Sequence, residues 1–276
     1  MKKSPLISVL LSAYNAEDYI EQAINSIIYQ TYSNWELIIV DDGSTDQTPI
    51  ILKKYTDQRI RIISHSNMGL TTSLNKAAFH AKGELLARQD ADDISQKTRF
   101  ELQVEQFLKN ENIVLVSSDT AWIDCNNKIL DIRYAPLDQF QAINKMTVLT
   151  NPFVHGSLMF KKSAFDAVSG YNENLSTSQD FELIIRLSAL NKEFSAVPHI
   201  LYFQRVHKNT VTTKKWMKQI HNTMKCAHLL NSYYPNAISI HARMAFIVKK
   251  MIIGGLSILD PQIVYTLRKL KSGNNQ

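Results

Sequence analysis

Four short apolar runs, each closed by a polar turn and separated from the next by a helical stretch, restrict this chain more than any other feature. Residues 6–11, 35–40, 59–64 and 84–89 have the β-branched and apolar content of buried strands. Between the first two, Tyr19, Ala23, Ile24, Ile27 and Ile28 recur at the 3.6-residue period, with Glu17 and Asp18 in the first turn and Asn15 placed to cap it. Residues 48–55 and 70–82 read as further helices, the second stopped by Gly83. Such alternation predicts an α/β fold with right-handed crossovers, a mostly parallel sheet and a ligand crevice at the carboxyl ends of the strands. The turns due there are Ser12-Ala13-Tyr14-Asn15, Asp41-Asp42-Gly43-Ser44-Thr45-Asp46 and Asp90-Ala91-Asp92-Asp93.

Beyond Asp93 the pattern changes. Residues 97–110 predict a helix with Phe100, Val104, Phe107 and Leu108 on one face. Short strands follow at 113–118, 120–124 and 129–132, then a helix at 138–149 and an extended stretch at 156–160. Ser178 opens a helix bearing Phe181, Ile184, Ile185 and Leu187, with Asp180 in its first turn and Glu182 and Arg186 spaced as an i,i+4 pair. Residues 196–197 and 201–206 read as final strands, and 216–230, 238–253 and 261–270 as basic helices. This half is expected to be mixed, not purely parallel.

Charge divides the chain unevenly. Residues 207–276 hold 11 Lys+Arg against the single acid Asp260, while residues 1–206 hold 20 basic and 24 acidic residues. A basic tail on an acidic body points to an anionic surface, membrane in preference to nucleic acid, with Trp216, Met217, Phe246, Ile252 and Ile253 placed to dip into the interface. No stretch reaches the ~20 apolar residues that span a bilayer, and the opening residues lack a secretory signal. The expectation is a cytoplasmic protein, soluble or peripheral on the cytoplasmic face of the membrane. Cys125 and Cys226 have no metal-ligand spacing and read as structural thiols of a reducing compartment.

Three carboxylates in four residues, Asp90, Asp92 and Asp93, repel one another and need a cation or full solvation. At a strand end, Asp90-x-Asp92 suits a hard cation such as Mg2+ or Mn2+ with positions left for phosphate oxygens; a solvated acidic turn is the competing reading. A calcium loop lacks its glycine and distal glutamate, and Ile94 stands where a phosphotransfer Asp-x-Asp-x-Thr needs threonine. Asp42 is placed to accept from a ribose hydroxyl or a base N–H, or else to cap a turn. Tyr14 is placed to wall a base, or else to pack on the sheet. Neither a Gly-x-Gly-x-x-Gly nor a Walker-type Gly-Lys-Ser is present.

Taken together, these stretches resemble the family-two inverting glycosyltransferases of the GT-A, nucleotide-diphospho-sugar transferase fold. The likeness runs over about residues 5–210 through Ile7-Ser8-Val9 to Tyr14-Asn15, Gln30-Thr31-Tyr32, Ile39 to Asp46, Asn67-x-Gly69, Asn75, Lys82-Gly83-Glu84, Asp90 to Asp93 with Arg99 and Gln103, Asn151-Pro152 to His155, Gly170-Tyr171, and Gln179-Asp180 to Arg186-Leu187. It implies a Rossmann-like, mostly parallel central sheet flanked by helices with a C-terminal helical extension. The implied domains are 1–210, divided into a nucleotide-binding half (1–93) and an acceptor half (94–210), and a basic amphipathic tail (211–276).

Carried over by position, the resemblance implies that Ala13, Tyr14, Asn15, Asp42, Asn67, Gly69 and Asn75 line the donor pocket, with Asp90 near the ribose and Ala91 beside it. Asp92 would bind the metal, with His207 as a further ligand, and Arg205 would face the donor phosphates. Asp180 matches the general base. His155 reads either as an acceptor or diphosphate contact or as a satisfied core residue. Gln179 replaces the Glu usual beside the base, and the Gln-x-x-Arg-Trp signature of processive synthases is missing. The implied activity moves one sugar from a nucleotide-diphospho-sugar, a UDP-sugar in the first instance, to a glycan or lipid-linked acceptor in surface polysaccharide, lipopolysaccharide or glycoconjugate assembly. The alternatives are a sugar nucleotidyltransferase, which wants a Gly-rich basic loop after the first strand, and a non-catalytic membrane-surface module.

Overall fold

A computed structural model describes residues 4–206 and 216–259. Strands β1 (Ile7–Ala13), β2 (Trp35–Asp41), β3 (Ile60–Ser64) and β4 (Leu85–Asp90) lie parallel in the order β3-β2-β1-β4. Near-continuous apolar runs suit strands covered on both faces, and the pleat sorts them. Val9, Leu11, Leu37 and Ile39 face helices α1 (Ile20–Ile28) and α4 (Arg99–Lys109). Leu10, Ile38, Val40 and Leu86 face α3 (Leu70–Phe79) and α7 (Gln179–Ser188). Helix α2 (Thr48–Leu52) is a short connector. Register fixes the carboxyl edge: Ala13 pairs with Asp41 and Ser12 with Asp90, so three polar turns emerge side by side.

The second half is mixed, as its pattern indicates. Antiparallel β8 (Met159–Lys161) joins β4 to β6 (Ile113–Ile123); β6 then pairs parallel with β9 (Glu193–Arg205), which carries antiparallel β5 (Ile94–Ser95) at the far edge. Strand β7 (Ile129–Arg133) pairs with β6. Four expected strands are therefore two long ones. Turn-like Ser118-Asp119 is absorbed as a shift in register, opposite the point where Pro198, which has no N–H to give a ladder, interrupts β9. Helix α5 (Gln139–Thr147) is capped by Asp138, whose carboxylate accepts from the Gln141 N–H at 2.8 Å. Where an extended stretch is expected from 156, a short 3-10 turn (His155–Ser157) precedes β8, and helix α6 (Lys162–Ala167) follows it. Leu108, expected on the buried face of α4, is exposed.

Helix α8 (Trp216–Tyr233) departs from the expected tail. Cys226, Ala227 and Leu230 are fully buried in the core that holds α7, and Asn222 Nδ2 donates to the Thr177 carbonyl and hydroxyl at 3.2 and 2.9 Å. The boundary expected at residue 210 thus does not separate two cores. Among the described residues, only α9 (Ile240–Leu259) stands largely outside. No helix among the described residues is long and apolar enough to cross a membrane. The expected helix at 261–270 lies outside the described residues.

Candidate active site

The first two turns are locked to each other. Asn15 does not cap α1, whose N-cap is Tyr19. It adopts φ 48° instead, and its Oδ1 accepts from the Thr45 N–H at 2.8 Å while its own N–H donates to Ser44 Oγ at 3.0 Å. Gly43, at φ 76°, is required because a Cβ there would lie 2.7 Å from the Asn67 nitrogen. Asp42 is buried and accepts from the N–H groups of Met68 (2.8 Å) and Gly69 (2.9 Å), with His65 Nε2 at 3.6 Å. It therefore holds the 65–69 loop and the start of α3 against the sheet. Ala13 is buried beneath this wall, Tyr14 is half-exposed above it, and Asn67 and Gly69 (φ 92°) form its rim.

Arg88, which sequence reasoning passes over, lies fully buried in β4 two residues before Asp90. Its guanidinium donates to the Asp90 carboxylate and to the carbonyls of Leu10 (3.3 Å) and Gln89. The signal was an arginine directly after the apolar Leu85-Leu86-Ala87 of a strand, which must find a partner when buried. Burial raises the Asp90 pKa, Arg88 opposes this, and Asp92 adds to it. Asp93 is pushed well above the ordinary carboxylate range by burial and by repulsion from Asp92 and Asp90, although the Arg205 N–H donates to it at 2.7 Å. Ala91 packs against the core at the same turn. The Tyr202 hydroxyl accepts from the Asp90 N–H at 3.1 Å and leaves no room for a Cβ at Gly156, which would sit 2.0 Å away.

Arg205 does not face an open pocket. Its Nε donates to the Asp92 carbonyl at 2.9 Å, Nη1 to the Asp124 carbonyl at 2.8 Å, and Nη2 to Gln22 Oε1 at 3.0 Å and Asn127 Oδ1 at 2.8 Å, with the plane over Tyr19. The expected phosphate ligand is a buried clamp on the acidic turn. Asn75, expected in the donor pocket, is partly exposed and bonded to the loop before α7. Its Nδ2 donates to the Tyr171 carbonyl and to Glu173 Oε1, both at 2.9 Å, and its Oδ1 accepts from the Tyr171 N–H at 2.9 Å. It mimics a strand partner for Tyr171 and ties α3 to the loop that leads into α7. His207 lies outside the described residues.

Asp180 sits in the first turn of α7 after Ser178, which takes φ 60°. One oxygen accepts from the Phe181 N–H at 2.9 Å and the other from Asn151 Nδ2 at 2.6 Å; Arg133 in turn donates to the Asn151 carbonyl. Burial raises its pKa against the backbone N–H groups of Phe181 and Asp180 and the Arg133 charge, and the Asp90 charge raises it further. His155 Nε2 and the Tyr171 hydroxyl are 2.7 Å apart. Burial, then Arg88, holds His155 well below its ordinary value, so it is a neutral core partner of Tyr171. The fold thus brings Arg88, Asp90, Tyr171 and Asp180 within electrostatic reach of one another.

Among the described residues no group of three or more His, Cys, Asp or Glu side chains could hold a metal. The acidic turn still fits a divalent cation. Behind the larger effect of burial, Asp92 repels both Asp90 and Asp93, and Mg2+ is commonly bound by one or two carboxylates plus substrate phosphates.

A half-parallel sheet with polar turns on its carboxyl edge, continued by a mixed sheet that brings in a helix-borne carboxylate, is the GT-A architecture of glycosyltransferases. The chain belongs to glycosyl transferase family 2, whose profile matches residues 8–169. It is 31% identical over 256 residues to an uncharacterized glycosyltransferase of Haemophilus influenzae, covering 88% of this chain and 79% of that one. It is 28% identical over 227 residues to chondroitin synthase of Escherichia coli, covering 82% of this chain but only 32% of that protein. S. aureus TarS 1-349 in complex with UDP-GlcNAc superposes with a TM-score of 0.62 at 19% identity, over 82% of this chain and 71% of that one. Asp180 and Arg205 both lie beyond the family match.

Proposed function

We propose that this glycosyltransferase is an inverting enzyme that moves a single sugar from a nucleotide-diphospho-sugar to a glycan or lipid-linked acceptor in surface polysaccharide or glycoconjugate assembly. The observation that carries this reading is the pairing of two carboxylate settings on one edge: Asp90-Ala91-Asp92 at the end of β4, and Asp180, hydrogen-bonded by Asn151, at the start of α7. The similar proteins, one a chondroitin synthase and one solved with UDP-GlcNAc, favour a UDP-sugar donor and a polysaccharide context.

The base and ribose lie between Tyr14 and the Asp42-held loop, and Asp90 stands on the ribose side. A divalent cation, Mg2+ or Mn2+, would be held by Asp92 together with the diphosphate and would neutralise charge on the leaving group. Asp180 takes the proton from the acceptor hydroxyl as its oxygen bonds to the anomeric carbon. The bond from that carbon to the diphosphate oxygen breaks with the electron pair leaving on the diphosphate, which inverts the centre. A carboxylate whose pKa is raised by burial is a stronger base than one in water, while the Asn151 amide keeps it ionised and oriented. The basic carboxyl-terminal segment meets anionic lipid on the cytoplasmic face, which places a lipid-linked acceptor near Asp180.

Release of UDP from a panel of UDP-sugars, with and without Mn2+ and with crude glycan acceptor, tests the reading. Metal-stimulated release that depends on Asp180 supports it. Formation of a nucleotide-sugar from a nucleoside triphosphate and a sugar phosphate would instead establish the nucleotidyltransferase alternative.

A further inference from the structure

Helix α9 carries five large apolar residues on the side away from the protein. Ala242 and Phe246 pack against the core, and Lys250 bonds back to Gln219 of α8 at 2.9 Å over the Phe246 ring, so Phe246 is not the interfacial residue its sequence context suggests. Ile240, Met244, Val248, Met251 and Ile252 face outward, each half or more exposed. At 3.6 residues per turn these five fall within an arc of about 120°. By the same helical spacing Arg243 borders one side of the arc and Lys249 the other. Residues 207–259 contain no Asp or Glu.

This face, apolar but for the exposed His241 that falls between Val248 and Ile252 at the same helical spacing, is a docking surface. Its borders select the occupant. A second copy of α9 would bring Arg243 and Lys249 against their own likeness with no acid on the helix to pair them, whereas acidic headgroups complement both. The helix is not a span. Resting on the membrane-facing reading above but independent of catalysis, we propose that α9 lies flat in the headgroup region of an anionic phospholipid bilayer. Its apolar arc is inserted, and Arg243 and Lys249 reach out to the phosphates. Since α8 is rooted in the core beside α7, this places the catalytic body at a fixed height over the lipid rather than on a loose tether. Insertion also leaves part of the binding resistant to salt, unlike a purely electrostatic tail.

Flotation of the full-length chain with phosphatidylcholine vesicles, with and without phosphatidylglycerol, tests this. The wild type is expected to float with the anionic vesicles. The double variant Met244→Glu, Val248→Glu should lose at least about tenfold in bound fraction, and Arg243→Gln, Lys249→Gln should lose the preference for phosphatidylglycerol. UDP release in lipid-free solution should match wild type in both variants, which also reports their folding. The proposal is overturned if wild type does not float, if the glutamates leave flotation unchanged, or if they convert a lipid-free dimer to monomer. Absent UDP release from every protein, with flotation as expected, would sink the catalytic reading and leave this one standing.

Discussion

Asp42 and Asp180 occupy comparable places and carry different loads. Asp42 follows a strand and Asp180 opens a helix, each fixed by the core, and both accept from two donors. Asp42 spends its oxygens on the backbone of Met68 and Gly69 and is buried. Asp180 accepts one bond from its own helix and one from the side chain of Asn151, and it keeps part of its surface. A carboxylate committed to backbone donors holds a shape; one held by an amide and a single turn is held in position with an edge left over for a substrate. The two residues should therefore fail differently when changed.

The largest effect is expected at Asp180. Asp180→Asn keeps the shape and removes the proton acceptor, so turnover should fall on the order of a thousandfold, with nucleotide-sugar affinity and melting temperature near wild type. Equal loss of binding in a titration would place Asp180 in the donor pocket instead. Asp42→Ala should do the reverse. It leaves the Met68 and Gly69 N–H groups of an exposed loop without their buried acceptor, costing about 1 kcal/mol of stability, and donor affinity should weaken as the loop loosens. An unchanged melt would show that the clasp is not structural.

Next in size is the strap between these two regions. Asn75→Ala removes all three bonds to Tyr171 and Glu173, and with them the tie from the donor-side helix to the loop before α7. Turnover is expected to drop about tenfold, with a smaller change in donor dissociation constant. Asn75→Asp should not rescue, since it sets a carboxylate against the Tyr171 carbonyl and Glu173. A loss confined to donor affinity would return Asn75 to the pocket.

How much of this was legible follows from what each residue has to satisfy. The four parallel strands and their carboxyl-end turns were readable because β1 and β2 are near-continuous apolar runs, β4 opens with Leu85-Leu86-Ala87, and each leads into a polar turn. Asp180 was readable as a first-turn carboxylate on a helix with a clear period. Arg205 and Asn75 were not, because a motif fixes which residue stands at a position but not which neighbour takes its hydrogen bonds. In Arg205 those neighbours are Gln22, Asp92, Asp124 and Asn127, brought together only by tertiary packing. Arg88 was missed for a simpler reason: its strand looked complete without it. The joined strands β6 and β9 hid behind turn residues that a bulge can absorb.

The smallest effect tests the comparison most finely. Asn151 donates to the ionised form of Asp180 and so favours it; burial favours the neutral form and the balance leaves the pKa raised. In Asn151→Ala the ionised form loses its donor, the Asp180 pKa rises further, and a smaller fraction of enzyme holds a competent base at any pH on the acid side. The acid limb of kcat/KM should move to higher pH by about one unit, while the rate well above that limb changes little. Asp42 holds the loop and takes no proton in the reaction, so its conservative variant Asp42→Asn should lower the whole profile without moving the limb. A limb that stays put in Asn151→Ala, or moves in Asp42→Asn, would mean the proton is taken somewhere other than Asp180.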